Sequence, residues 1–248
     1  VFIYLKQKFP HIKFWINDLN RELFLFWKFS QSHLPQLIEE IRRIKDKYTN
    51  GKQLFEELAK VDTNTLSDFE RAVRFFVLNR ITFSGTVESG GYSEQAFHKR
   101  FTKSSIERLE KLESILTADV KITNLDYSEL LQAEGQDIFI FLDPPYFTAT
   151  KSKLYGKSGD LHISFEHQRF ATLVQNCPQR WLITYDDSPS IRENFKSSYL
   201  NEWELQYGMN NYKQNGAKKG KELFITNYNV NNNENLQAPL QLGLELLY

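Results

Sequence analysis

A single cysteine, Cys177, stands in 248 residues, so no intramolecular disulfide can form, which fits a reducing cytoplasm. No two of the five histidines stand at i, i+4, so a structural zinc site is not expected, nor any other metal. Excess charge is also lacking, because 31 basic and 31 acidic residues cancel. That balance gives no sign of a polyanionic partner, but nucleic-acid binding depends on a local basic face rather than on the total. No apolar run approaches the roughly 18 residues of a membrane span. Residues 1–10 lack the apolar stretch of a secretory signal. The expected location is therefore the cytoplasm, with no membrane partner. No Walker loop is present to suggest nucleotide hydrolysis, and no internal repeat is visible. An initiating methionine is absent too: the chain opens with Val1, so preceding sequence is expected to exist.

What is present suits one large domain, or one domain with an insert. Aromatics reach 15%, with 20 Phe and 12 Tyr, enough for a packed core and suited to stacking on bases. Residues 13–17 read as a short strand ending at Asn17-Asp18-Leu19. Helical spacing follows over 20–48, broken at Pro35, and returns over 54–58 and 69–78. Residues 82–93 carry Gly85, Gly90, Gly91 and several hydroxyls, and form a loop that can approach a ligand closely. One helix is expected over 97–116. Strands are expected at 120–123, 138–142 and 181–185, with a helix over 165–174 and a final antiparallel pair at 203–207 and 223–227. The run at 138–142 is continuously apolar, as in a central strand. Alternating strands and helices imply an α/β sheet.

Asp143-Pro144-Pro145-Tyr146 directly follows that apolar run. Ligands of open α/β sheets bind at the carboxyl ends of strands, where this tetrapeptide falls. Two prolines fix their φ angles and donate no backbone hydrogen bond, so the Pro144 carbonyl can serve as a rigid acceptor. Asp143 adds a second acceptor and Tyr146 an aromatic face. Two acceptors and a stacking plane suit an aromatic amine, whose delocalised lone pair makes it a poor nucleophile. Accepting from both amino hydrogens draws the nitrogen towards a tetrahedral form able to attack a methyl sulfonium. A base in a duplex must first be flipped out to reach such a site, and positioning and electrostatics then do most of the catalysis. The bland reading is a rigid Asp-Pro turn after a strand.

Phe141 to Tyr146 (FLDPPY) resembles the catalytic motif of the Dam-like family of DNA adenine methyltransferases. Ile16-Asn17-Asp18-Leu19-Asn20 is similar to the family segment whose acid takes the cofactor's ribose hydroxyls, and Asn124-Leu125-Asp126-Tyr127 to its acidic-aromatic pair for the cofactor adenine. Asn79-Arg80 with Phe83 and Gly85 resembles the segment before its recognition hairpin. The stretches 182–187 and 222–228 fit its last strands, so the likeness runs in order from Phe14 to Tyr228. It implies a Rossmann-like class I methyltransferase sheet with a terminal antiparallel pair and an inserted helical target-recognition domain. The catalytic domain is expected over 1–48 and 116–228, the insert over 49–115 and a tail over 229–248. S-adenosylmethionine is the implied cofactor, with Asp18, Asp126, Tyr127 and Asp143 as its ligands. Asp143, Pro144, Pro145 and Tyr146 are the implied catalytic residues.

Two features depart from the family. A Phe-x-Gly-x-Gly cofactor loop is absent upstream of Phe14, and 85–93 (GTVESGGYS) lacks the arginine pattern of GATC-specific members, which argues against GATC as the site. Double-stranded DNA is the expected partner, with Arg80, Gly85, Thr86, Tyr92, Tyr212, Lys218 and Lys219 as candidate contacts. Further basic groups stand at Lys99-Arg100 with Lys103, and at Lys151, Lys153 and Lys157. The loop 151–160 is a candidate cover for the flipped base, and a restriction endonuclease is a candidate companion. Two alternatives stand beside this reading: an amino methyltransferase acting on cytosine, RNA or a protein amide, and an inactive DNA-binding module of the same fold.

Overall fold

The computed structural model describes residues 1–87, 90–147, 165–205 and 220–230. These fall into two compact units, one formed by Val1–Tyr127 and the other by the described residues from Ser128 onward.

The first unit opens with α1 (Phe2–Lys8), which the sequence reading missed. Buried Lys6 ties it down by donating to Asp119 at 2.7 Å. Beyond strand β1 (Trp15–Asn17), the Asn20 side chain accepts from the Glu22 and Leu23 amides and starts α2 (Arg21–Ser32). Pro35 falls in the first turn of α3 (Leu34–Lys47), where its missing N–H costs nothing. Asn50 caps α4 (Gly51–Lys60), and a Ser67–Glu70 capping box opens α5 (Asp68–Ile81).

The single helix expected over 97–116 is instead broken into α6 (Glu94–Lys99), α7 (Lys103–Glu107) and a 3-10 turn over Arg108–Leu112. Thr102 causes the break. Its extended backbone forms a reciprocal box with Ser105 and restarts the helix there, while Phe101 beside it is fully buried. Leu25, Leu37, Ile41, Leu54, Val77, Ile81, Phe97, Phe101, Ile106 and Val120 share one core. The helices of 49–115 therefore pack on the same apolar mass as α2 and α3. Strand β2 (Lys121–Thr123) runs parallel to β1, with Asn17 opposite Thr123.

The helix α8 (Tyr127–Leu131) spans the junction in sequence. The second unit then holds β3 (Phe139–Leu142), α9 (His167–Gln175), β4 (Arg180–Asp186), α10 (Pro189–Asn194), β5 (Tyr199–Leu205) and β6 (Gly220–Thr226). Its sheet order is β3-β4-β6-β5, with β3 parallel to β4 and the last two strands antiparallel, as the sequence suggested. Among the described residues β3 pairs with β4 alone. Ile140 and Leu142 face the core, whereas Phe139 and Phe141 are 52% and 36% exposed. No helix among the described residues is long and apolar enough to cross a membrane.

Candidate active site

In the first unit, the carboxyl ends of β1 and β2 lie side by side and are laced together by amide side chains. Asn17 donates to the Leu125 carbonyl at 2.9 Å and accepts from the Leu125 amide at 2.9 Å. It also accepts from the Thr123 hydroxyl, which in turn accepts from the Trp15 indole at 2.7 Å. Asn124 returns the grip by donating to the carbonyls of Asp18 and Leu19 at 2.7 and 2.9 Å. Asp18 accepts from the Asn20 amide at 2.7 Å, a short turn that sets its carboxylate at the start of α2. Asp126 and Tyr127 follow the same clamp on β2, and all three site candidates are half-buried. Two carboxylates thus stand beyond the ends of adjacent parallel strands, an acceptor set that matches hydroxyl and amino groups of a nucleoside.

In the second unit, Asp143-Pro144-Pro145-Tyr146 leaves the carboxyl end of β3. Asp143 is exposed, Pro144 is buried, and Pro145 and Tyr146 are half-buried. The Thr184 hydroxyl donates to one Asp143 oxygen at 2.7 Å, leaving the other without a hydrogen bond among the described residues. The Phe147 amide donates to Asp186 at 2.7 Å, and the Tyr146 hydroxyl donates to Glu222 at 3.1 Å. Beside the Tyr146 ring lies that of Tyr185, with centroids 6.4 Å apart. Buried His167 meets the Tyr185 hydroxyl at 2.6 Å and packs edge-on against Phe147 at 5.1 Å. The tetrapeptide is thus fixed to its neighbouring strands while its carboxylate faces outward. Thr184, Asp186, Glu222 and Asn17 carried no role in the sequence reading. Their signal was a polar residue within an otherwise apolar strand.

The remaining candidates lie around the end of α5. Asn79 donates to the Gly85 carbonyl at 3.0 Å, and Arg100 donates to the Asn79 carbonyl at 2.7 Å. Gly85 has φ +73°, a backbone conformation that strains other residues, and a β-carbon there would push on the Arg100 guanidinium and the Asn79 amide at 2.9 Å. Arg80 lies over the Phe76 ring at 5.2 Å, and its buried Nε takes no hydrogen bond. Burial, with Arg100 and Arg108 nearby, pushes Arg80 down to about 10. A guanidinium so placed is suited to an anion. Thr86 donates to the Phe83 carbonyl at 2.8 Å, and Phe83 is 64% exposed at the loop. Tyr92 turns towards the protein, packing near Phe55 and donating to Glu94 at 2.5 Å. Burial and the Glu94 carboxylate push its phenol up to about 12. Tyr212, Lys218, Lys219, Lys151, Lys153, Lys157 and the loop 151–160 lie outside the described residues.

The profile of the D12 class N6 adenine-specific DNA methyltransferases matches residues 1–209. The chain is 26% identical over 189 residues to the DNA N-6-adenine-methyltransferase of Escherichia phage P1, covering 74% of this chain and 25% of that protein. It is 26% identical over 173 residues to the type II methyltransferase M.MjaIII of Methanocaldococcus jannaschii, covering 62% and 57%. With the type II methyltransferase M1.LlaDCHI of Lactococcus lactis subsp. cremoris it shares 24% over 231 residues, covering 86% and 78%. The match spans a quarter of the first of these relatives and just over half of the second.

Proposed function

Because the chain belongs to the D12 class N6 adenine-specific DNA methyltransferase family, we propose that it methylates the exocyclic 6-amino group of adenine in double-stranded DNA. The observation that carries this reading is the outward-facing Asp143 followed by the half-buried Tyr146 ring at the end of β3. Asp143 and the Pro144 carbonyl accept the two amino hydrogens, and Tyr146 stacks on the flipped base. Such stacking is worth roughly 1–3 kcal/mol. Pro145 keeps the turn rigid. S-adenosylmethionine, when bound, supplies an electrophilic methyl group, and Asp18, Asp126, Tyr127 and Asp143 are the residues assigned to hold it.

DNA is assigned to Arg80, Gly85, Thr86 and Tyr92, with Tyr212, Lys218 and Lys219. The positive charges of Arg80, Arg100 and Arg108, gathered near the end of α5, support a phosphate contact there. The corresponding architecture is a Rossmann-like class I sheet over 1–48 and 116–228, with a recognition insert over 49–115. The type II names of two relatives support a setting beside a restriction endonuclease, in the cytoplasm. Sequencing genomic DNA from cells expressing the wild type and Asp143→Ala tests the reading. Methylated adenines in one sequence context, found with the wild type alone, are expected. Unmodified adenines in both would overturn it.

A further inference from the structure

Thr184 and Asp186 stand two apart on β4 and share a face of the strand, and Glu222 is the register partner of Asp186 on β6. Thr184 holds the Asp143 carboxylate, Asp186 the Phe147 amide and Glu222 the Tyr146 hydroxyl. Asp186 and Glu222 are both buried, Glu222 almost completely. Two neighbouring carboxylates in a sheet interior oppose folding unless each finds donors. Here the donors they find include the backbone and side chain of the segment that carries the chemistry.

We propose that Glu222 is a positioning residue: its carboxylate anchors the Tyr146 hydroxyl and sets the plane of the ring on which the target base stacks. Holding the hydroxyl fixes the direction in which the ring points, and because a phenol O–H prefers to lie in the plane of its ring, a fixed acceptor also favours one ring plane. Glu222 supplies that acceptor from a strand that makes no contact with the base in this scheme. Phenylalanine at 146 would supply the same stacking area without the anchor. The proposal rests on the adenine methyltransferase reading and goes beyond it by assigning a role to β6.

The test is a double-variant cycle on the protein with unmethylated plasmid DNA and tritiated S-adenosylmethionine, following Tyr146→Phe, Glu222→Leu, both together, and Glu222→Gln. Tyr146→Phe and Glu222→Leu are each expected to lower kcat about tenfold, with KM for DNA changing less than about twofold. The double variant is expected to be no slower than the slower single variant. Glu222→Gln keeps an acceptor oxygen and is expected to stay within about threefold of the wild type. Losses that multiply to about a hundredfold, or that appear in KM alone, would overturn the assignment. Should Glu222→Leu not fold, Tyr146→Phe decides alone, and wild-type kcat in that variant overturns it. A wild type that leaves adenine unmodified brings down both readings, whereas an active wild type with independent losses brings down only this one.

Discussion

Each unit carries candidate site residues at the ends of parallel strands, yet the two sets are secured in different ways. In the first unit, Asn17 and Asn124 bind backbone to backbone, so the clamp fixes the strand ends from which Asp18 and Asp126 project. In the second, Thr184, Asp186 and Glu222 grip the site segment itself, two of them by the side chains assigned to chemistry. On the proposed reading, the difference follows from what each set would have to do. A cofactor site needs a rigid frame and side chains left open to the ligand. A segment that must hold a reacting amine within a fraction of an ångström needs its own side chains locked.

This contrast can be broken by variants that separate turnover from stability. The largest effect is expected for Tyr146→Ala, which removes the stacking face. Steady-state assays should show kcat down by about a hundredfold or more, alongside a drop in melting temperature because buried Glu222 loses a donor. A loss confined to stability would mean that the ring serves packing. Next comes Asn17→Ala in the other set. It deletes two bonds to Leu125 and the acceptor for Thr123, and about 2–3 kcal/mol of stability should go in urea unfolding. Turnover at saturating cofactor is expected to hold, and an equal fall in kcat would erase the distinction between frame and grip.

Thr184→Val follows, an exchange of similar shape that frees the Asp143 carboxylate. It should slow turnover about tenfold, since a bond to a charged acceptor is worth roughly 1.5 kcal/mol or more. Unchanged kcat would show that Asp143 needs no support. The smallest effect belongs to Tyr92, outside both sets. Its phenol is pushed from 10.0 up to about 12, so the folded protein holds that proton more tightly than the unfolded chain. The associated stability is present below pH 10 and fades as pH rises through 12. Melting curves of wild type and Tyr92→Phe should converge over that window, and parallel curves would contradict the shift.

Much of this arrangement was legible in the sequence where the signal is local. FLDPPY follows an apolar run, and the strand end and its exposed acid are where that pattern puts them. The caps at Asn20, Asn50 and Ser67, by contrast, were not read from the sequence. Partnerships across the fold were not legible. Thr184 lies 41 positions from Asp143, and Glu222 lies 76 from Tyr146, and nothing in a strand's alternation names such a partner. The short helices Phe2–Lys8 and Pro189–Asn194 escaped for another reason. Helices of one or two turns draw their stability from tertiary contacts, here the Lys6–Asp119 pair and buried Ile191, rather than from their own propensity.

Mass spectrometry of nucleosides from DNA treated with the wild-type protein and with Asp143→Ala addresses the central claim most directly. The account predicts N6-methyladenine from the wild type and none from the variant. N4-methylcytosine in its place, or N6-methyladenine made equally well without the Asp143 carboxylate, would contradict it.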